Sequence, residues 1–177
     1  MEEEKLLAGK RVLIVDDEPD VLESLEALLS MCDLAKARSF EEARDLLENQ
    51  EFDLAILDIM GVNGYQLLDI ANERKILAVM LTAHALSPED TVKSYKRGAA
   101  FFVPKEETSK IATFLGDVLE AKEKGSDYWT RWLERLGTFY DKKFGPDWKD
   151  SDRDFWEKLA KQDWRLASVL RRNNQGD

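Results

Sequence analysis

The sequence contains one cysteine, one histidine and no long apolar run, and each scarcity excludes a class of protein. Cys32 cannot form an internal disulfide, and its apolar neighbours predict a small, buried side chain. No apolar run approaches the roughly 18 residues of a membrane-spanning helix. Three glutamates follow Met1, whereas a secretory signal begins with basic residues. We therefore expect a soluble, cytoplasmic protein with no membrane insertion.

An excess of basic charge is also missing. Of 177 residues, 26 are Lys or Arg and 36 are Asp or Glu, a net charge of −10. The acidic excess lies in the first 119 residues, with 24 acidic and 13 basic side chains, whereas the remainder holds 12 and 13. Nucleic-acid binding draws much of its affinity from Lys and Arg that neutralise phosphates, so we do not expect nucleic acid as a partner.

The chain does contain five short apolar runs, each followed by a helical pattern. The runs span residues 11–15, 34–37, 52–58, 76–81 and 99–103. Parallel strands are covered on both faces, so they lose the alternation of polar and apolar residues and read as near-continuous apolar runs. Five strand–helix pairs predict an α/β fold: a parallel sheet with helices on both faces.

The composition changes after about residue 122. All five tryptophans lie beyond residue 128, and two amphipathic helical patterns follow. We predict an N-terminal tail over residues 1–8, an α/β domain over 9–122 and a Trp-rich extension of two helices over 123–177. Because two helices alone are marginally stable, the extension should bury its aromatic stripe against the first domain or another chain.

Polar side chains follow four of the predicted strands. Asp16 and Asp17 follow the first, Asp58 ends the third, Thr82 follows the fourth and Lys105 follows the fifth. In open α/β sheets ligands bind at this carboxyl edge, and a strand order of 2-1-3-4-5 would make these exits converge. Clustered carboxylates must gain a cation or protons. Mg²⁺ is a suitable cation, because it binds carboxylates together with phosphate oxygens. The set therefore suits a metal-assisted phosphoryl acceptor.

These residues resemble the receiver domain of response regulators in two-component signalling. The resemblance is carried by four segments and covers about residues 9–122. The segments are Val-Asp-Asp-Glu-Pro at 15–19, Leu-Asp at 57–58, Leu-Thr-Ala at 81–83 and Gly-Ala-Ala-Phe-Phe-Val-Pro-Lys at 98–105. The resemblance implies a doubly wound, flavodoxin-like five-stranded parallel sheet, with a small C-terminal helical appendage in this chain.

The resemblance also implies roles for individual residues. Asp58 would accept a phosphoryl group from a sensor histidine kinase or a phosphotransfer protein, and Thr82 and Lys105 would bind the phosphoryl oxygens. Mg²⁺ or Mn²⁺ would be held by the carboxylates of Asp16, Asp17 and Asp58 and by the backbone carbonyl of Met60. Phe102 would be the aromatic switch residue that moves with Thr82. Such a domain is no enzyme beyond its own phosphorylation and dephosphorylation.

Two segments depart from the family pattern. The stretch 58–64, from the acceptor to the next helix, is about two residues shorter than usual. Lys105 is preceded by Pro104 and followed by Glu106, whereas the family has Lys-Pro with a cis bond. A cis bond before a residue other than proline costs about 2.5–4 kcal/mol, so we expect a trans bond and a differently shaped loop.

Simpler roles remain open for several of these residues. Asp16 and Asp17 could cap a helix, Lys105 could be a solvated loop residue, and Phe102 could be ordinary core. His84 could be an exposed imidazole or could tune dephosphorylation, but no spacing makes it a metal ligand. The tryptophan stripe is more typical of packing than of a ligand site.

The main functional hypothesis is a phosphorylation-controlled regulator that switches protein–protein contacts. Its C-terminal helices would bind a downstream protein or a second copy of the chain. A DNA-binding transcriptional regulator is the first alternative, although the last helix mixes basic and acidic residues. Its basic residues are Lys158, Lys161, Arg165, Arg171 and Arg172. The second alternative is a receiver-like scaffold that does not switch, suggested by the altered Lys105 loop.

Overall fold

A computed structural model of the protein describes residues 2–82 and 87–162, with side chains as far as residue 159. Several residues of the sequence analysis lie outside this part of the chain. They are Ala83 and His84 beside the predicted site, and Arg165, Arg171 and Arg172 of the last predicted helix, whereas Lys161 lies within the described range but without a described side chain.

Five parallel strands form one sheet in the order β2-β1-β3-β4-β5, which confirms the predicted fold. The strands are β1 (Arg11–Val15), β2 (Asp33–Ala37), β3 (Leu54–Asp58), β4 (Leu77–Thr82) and β5 (Phe101–Pro104). Every residue of the central strand β3 is buried. This burial explains the continuous apolar run, because helices cover both faces of the sheet.

Eight α-helices are present in the described residues. They are α1 (Glu2–Leu7), α2 (Pro19–Leu28), α3 (Phe40–Asn49), α4 (Gly64–Glu73), α5 (Pro88–Lys96), α6 (Ile111–Lys124), α7 (Tyr128–Phe144) and α8 (Arg153–Gln162). Short 3-10 helices span Lys105–Lys110 and Trp148–Asp152. The Ser39 hydroxyl caps α3 by accepting from the Glu42 N–H, because the first amides of a helix lack partners within it. None of the described helices is both long and apolar enough to cross a membrane.

The N-terminal segment differs from the predicted tail, since residues 2–7 form helix α1. This helix packs against α6 and buries Leu7 completely. The two helices approach closely at Gly116, where a Cβ atom would lie 3.1 Å from the Cγ of Glu3. A six-residue helix carries too little periodic pattern to be recognised, and its stability comes from this tertiary contact.

The C-terminal extension packs against the α/β domain, which is one of the two partners that the sequence left open. Its aromatic side chains belong to the same hydrophobic core as the sheet. Trp132, Tyr140, Trp148 and Trp156 form a cluster in which Trp132 stacks on Trp156 at 6.0 Å and meets Tyr140 edge-on at 5.0 Å. The tryptophan stripe is therefore packing surface in the described part of the extension.

Candidate functional site

The carboxyl ends of four strands bring the predicted polar residues to one edge of the sheet. Asp16 follows β1, Asp58 and Thr82 are the last residues of β3 and β4, and Lys105 follows β5. The Lys105 Nζ lies 2.8 Å from Asp16 Oδ2 and 3.4 Å from Asp58 Oδ1. Lys105 is thus in direct contact with both acids, although it lies 47 positions from Asp58 and 89 positions from Asp16 in the sequence.

Three consecutive acids form a compact group beside this contact. Carboxylate oxygens of Asp16, Asp17 and Glu18 all lie within 4.8 Å of one another. Asp16 is fully buried, whereas Asp17 and Glu18 are exposed, and the Glu18 N–H donates to Asp16 Oδ1 at 2.9 Å. Glu18 is not among the predicted metal ligands, because an acid before Pro19 is equally typical of the start of a helix. The run of three consecutive acids was the sequence feature that could have indicated its proximity to the metal site.

Burial and mutual repulsion dominate the electrostatics of the site. Burial, followed by the charge of Asp16, raises the pKa of Asp58 to about 7, against the opposing effect of Lys105. Burial also raises the pKa of Asp16 above its ordinary value, opposed by Lys105 and by the Glu18 N–H. Burial alone would lower the pKa of Lys105, but its contacts with Asp16 and Asp58 outweigh that effect and raise it.

These shifts mean that one ammonium group does not compensate two buried carboxylates. The donors at this edge are hard carboxylate oxygens on two adjacent strand ends, which is the donor set that Mg²⁺ prefers. A divalent cation held by Asp16 and Asp17, with Glu18 beside them, would relieve the repulsion that raises the pKa of Asp58. The residues present therefore fit the predicted metal.

Two glycines let the loop after β3 lie close against the acids. At Gly61, where φ is +85°, a Cβ atom would lie 2.5 Å from Asp17 Oδ2. At Gly64 a Cβ atom would lie 2.1 Å from the backbone oxygen of Asp58. Met60 directly precedes Gly61, lines the mouth of the site and is 71% exposed. Its carbonyl remains a predicted ligand.

The site opens into a cavity of about 630 Å³ between β3 and the starts of α4 and α5. Asp58, Thr82 and Lys105 line it, together with Tyr65 and Lys93. The Lys93 Nζ lies 4.3 Å from the centre of the Tyr65 ring. Sequence reasoning missed these two residues because a tyrosine and a lysine on separate helices carry no local motif.

The structure places Phe102 apart from the other predicted residues. Its side chain is fully buried in β5, and its backbone oxygen accepts a hydrogen bond from the Trp132 indole at 2.8 Å. The simpler interpretation, ordinary core, accounts for this burial, and the switch role stays a prediction. Beyond β5, Lys105 begins a 3-10 helix, where the Thr108 hydroxyl donates to its backbone oxygen at 2.6 Å. No described peptide bond is cis, as expected for this loop.

Comparisons with known proteins agree with this geometry. The family model of the response regulator receiver domain matches residues 12–114. Response regulator protein PilR of Pseudomonas aeruginosa is 34% identical over 105 residues, which make up 56% of this chain and 23% of PilR. Heme response regulator HssR of Staphylococcus aureus is 37% identical over 99 residues, 52% of this chain and 43% of HssR. The chain thus spans less than half the length of these relatives.

A solved structure shows the same fold. The CheY-like response regulator receiver domain protein from Methanospirillum hungatei superposes with a TM-score of 0.60 at 28% identity. The match covers 67% of this chain and all of that one.

Proposed function

This chain belongs to the response regulator receiver domain family of two-component systems, and we propose that it accepts a phosphoryl group on Asp58 and thereby switches protein–protein contacts. The donor would be the phosphohistidine of a sensor histidine kinase or a phosphotransfer protein. The observation that carries the proposal is the contact of Lys105 with both Asp16 and Asp58 at the carboxyl edge of the sheet. Asp58 lies beside an ammonium that can pair with the negative charge that a phosphoryl group would add.

In the proposed transfer, a carboxylate oxygen of Asp58 attacks phosphorus. A P–O bond to Asp58 forms as the P–N bond of the donor breaks, and the electron pair of that bond returns to the imidazole. Lys105 neutralises charge on the phosphoryl oxygens, and the buried Thr82 hydroxyl donates to one of them. When bound, Mg²⁺ or Mn²⁺ supplies further positive charge next to Asp16 and Asp17.

The test uses the full chain with acetyl phosphate and with beryllium fluoride, each in the presence of Mg²⁺. We expect wild type to gain one phosphoryl group by mass spectrometry and to bind beryllium fluoride. Asp58→Asn should do neither. The matched control is Asp20→Asn, which removes an exposed acid from the first turn of α2 and should behave as wild type. A wild-type chain that neither labels nor binds would contradict the proposal.

The described part of the extension supports a protein-binding output rather than a DNA-binding one. Its aromatic side chains pack in the core, and its exposed charged residues are of both signs and form no basic surface. Retention of nucleic acid in a salt-dependent gel shift would favour the regulator of transcription instead.

A further inference from the structure

The extension closes the open edge of the sheet. Strand β5 pairs with β4 on one side only, so its other edge presents backbone oxygens to whatever lies beside it. Helix α7 occupies that position. The Trp129 indole N–H donates to the Ala99 oxygen at 2.9 Å, and the Trp132 indole N–H donates to the Phe102 oxygen at 2.8 Å. The two indole N–H groups thereby bind backbone oxygens that a sixth strand would otherwise bind.

Further polar contacts join α7 to the helices on either side of β5. On α5, the Thr91 and Tyr140 hydroxyls are 2.5 Å apart in a buried contact. On α6, the buried Asp117 accepts from Arg135 Nε at 2.9 Å and from a second guanidinium nitrogen at 3.2 Å. We call the surface formed by these three elements the α5–β5–α6 face. In this chain its own extension covers that face.

The covered strand is also the strand that delivers Lys105 to the acids. Strand β5 has four residues, and Lys105 follows it directly. The neighbouring residue Glu106 forms an ion pair with Lys143 of α7. Lys105 is therefore flanked in the chain by two attachments to the extension, through Phe102 before it and Glu106 after it.

A phosphoryl group on Asp58 would change the balance of forces on this short strand. The Lys105 ammonium now lies nearer to Asp16 than to Asp58. Added negative charge on Asp58 attracts the ammonium toward that residue, because Coulomb attraction is strong at short range in a buried site. Where the backbone at Lys105 follows the ammonium, the contacts of Phe102 and Glu106 with α7 change with it.

We propose that the docked extension is a switch element within the chain: α7 holds β5 in its unphosphorylated position, and ligation of Asp58 loosens the bond between Trp132 and Phe102. This inference rests on the proposed function. Coupling between two sites is reciprocal: docking of α7 must weaken ligand binding at Asp58 by the same factor by which ligation weakens docking. A variant with a weaker docking contact should therefore bind the ligand at Asp58 more tightly. The phosphorylation site and the contact of α7 with β5 are connected by the single strand β5, so the coupling does not need a longer chain of contacts.

The reciprocal effect can be measured with two tryptophan variants of the full chain. Trp132→Phe removes the donor to β5 but keeps an aromatic ring. The matched control is Trp148→Phe, because the Trp148 indole donates only within the extension, to Asp141 Oδ1 at 2.7 Å. We expect Trp132→Phe to bind beryllium fluoride with Mg²⁺ about fivefold more tightly in calorimetric titration, the effect of about one neutral hydrogen bond. Trp148→Phe should match wild type.

Equal or weaker binding by Trp132→Phe, or equal tightening by both variants, would overturn the inference while leaving the proposed function intact. Absence of beryllium fluoride binding by wild type would overturn both. If Trp132→Phe does not fold, the unmodified chain labelled with ¹⁵N-tryptophan decides the question. On ligand binding, the Trp132 indole proton should exchange faster with solvent and its resonance should shift, whereas the Trp148 resonance should not. An unmoved Trp132 resonance in the liganded protein refutes the coupling.

Discussion

Replacing Asp58 by Asn should stabilise the metal-free protein, because the native carboxylate is ionised at a cost. Its pKa is raised from 3.8 to about 7 by burial and by Asp16. A shift of this size corresponds to about 4 kcal/mol of differential interaction between the two protonation states. The pKa of Asp58 is higher in the folded protein than in the unfolded chain. The contribution of protonated Asp58 to the free energy of unfolding is therefore fully present below pH 3.8 and is lost as the pH rises through 7. Asn cannot ionise and escapes this loss.

The assay is urea unfolding of wild type and Asp58→Asn at pH 5 and pH 8, with EDTA or with Mg²⁺. At pH 8 without metal, the variant should gain about 2–4 kcal/mol, since Asn also forfeits part of the attraction to Lys105. The gain should fall to less than half at pH 5, where wild type carries the proton, and it should shrink when Mg²⁺ neutralises the site.

Asp20→Asn is again the control, because the Asp20 side chain is exposed. It should change stability by less than about 0.5 kcal/mol at either pH. If Asp58→Asn is no more stable than wild type at pH 8 in EDTA, the electrostatic reasoning is refuted.

Three further predictions concern the metal, the cysteine and the extension. Mg²⁺ at one hundred times its dissociation constant should stabilise wild type by about 2.7 kcal/mol, and Asp17→Asn should lose most of that increment in thermal unfolding. Cys32 is half-buried rather than buried as its neighbours predicted. This partial burial raises the pKa of the thiol from 9.0 to about 11, so iodoacetamide at pH 8 should alkylate it about one hundredfold more slowly than a free thiol, with normal rates restored in urea. Arg135→Gln leaves the buried Asp117 carboxylate with less compensation and should cost about 1–3 kcal/mol. Its control, Arg131→Gln, breaks only a surface pair and should cost under about 0.5 kcal/mol; equal costs would show that the Arg135 pair does not hold the extension in place.

The order of elements and the residues at the strand ends could be predicted from the sequence, because both depend on local patterns. A buried parallel strand is recognised in the sequence as an apolar run. Ser39 and Ser87 are N-cap residues that indicate the start of the helices that follow them. Parallel strands bring their carboxyl ends to one edge, so Asp58 and Lys105 could be expected to meet once the strand order was known. The order itself came from the family resemblance, since the runs do not specify which neighbours pair.

Only the tertiary structure decided which surfaces the terminal segments cover. Helix α1 is stabilised by its packing against α6, which lies more than 100 residues away in the chain. The aromatic stripe of α7 could have faced another molecule, but Trp129 and Trp132 each bond to backbone oxygens 30 residues earlier. Amphipathic periodicity shows that a helix has an apolar face but does not identify the surface that this face packs against. That surface is selected by shape and by hydrogen bonds between residues that are distant in the sequence.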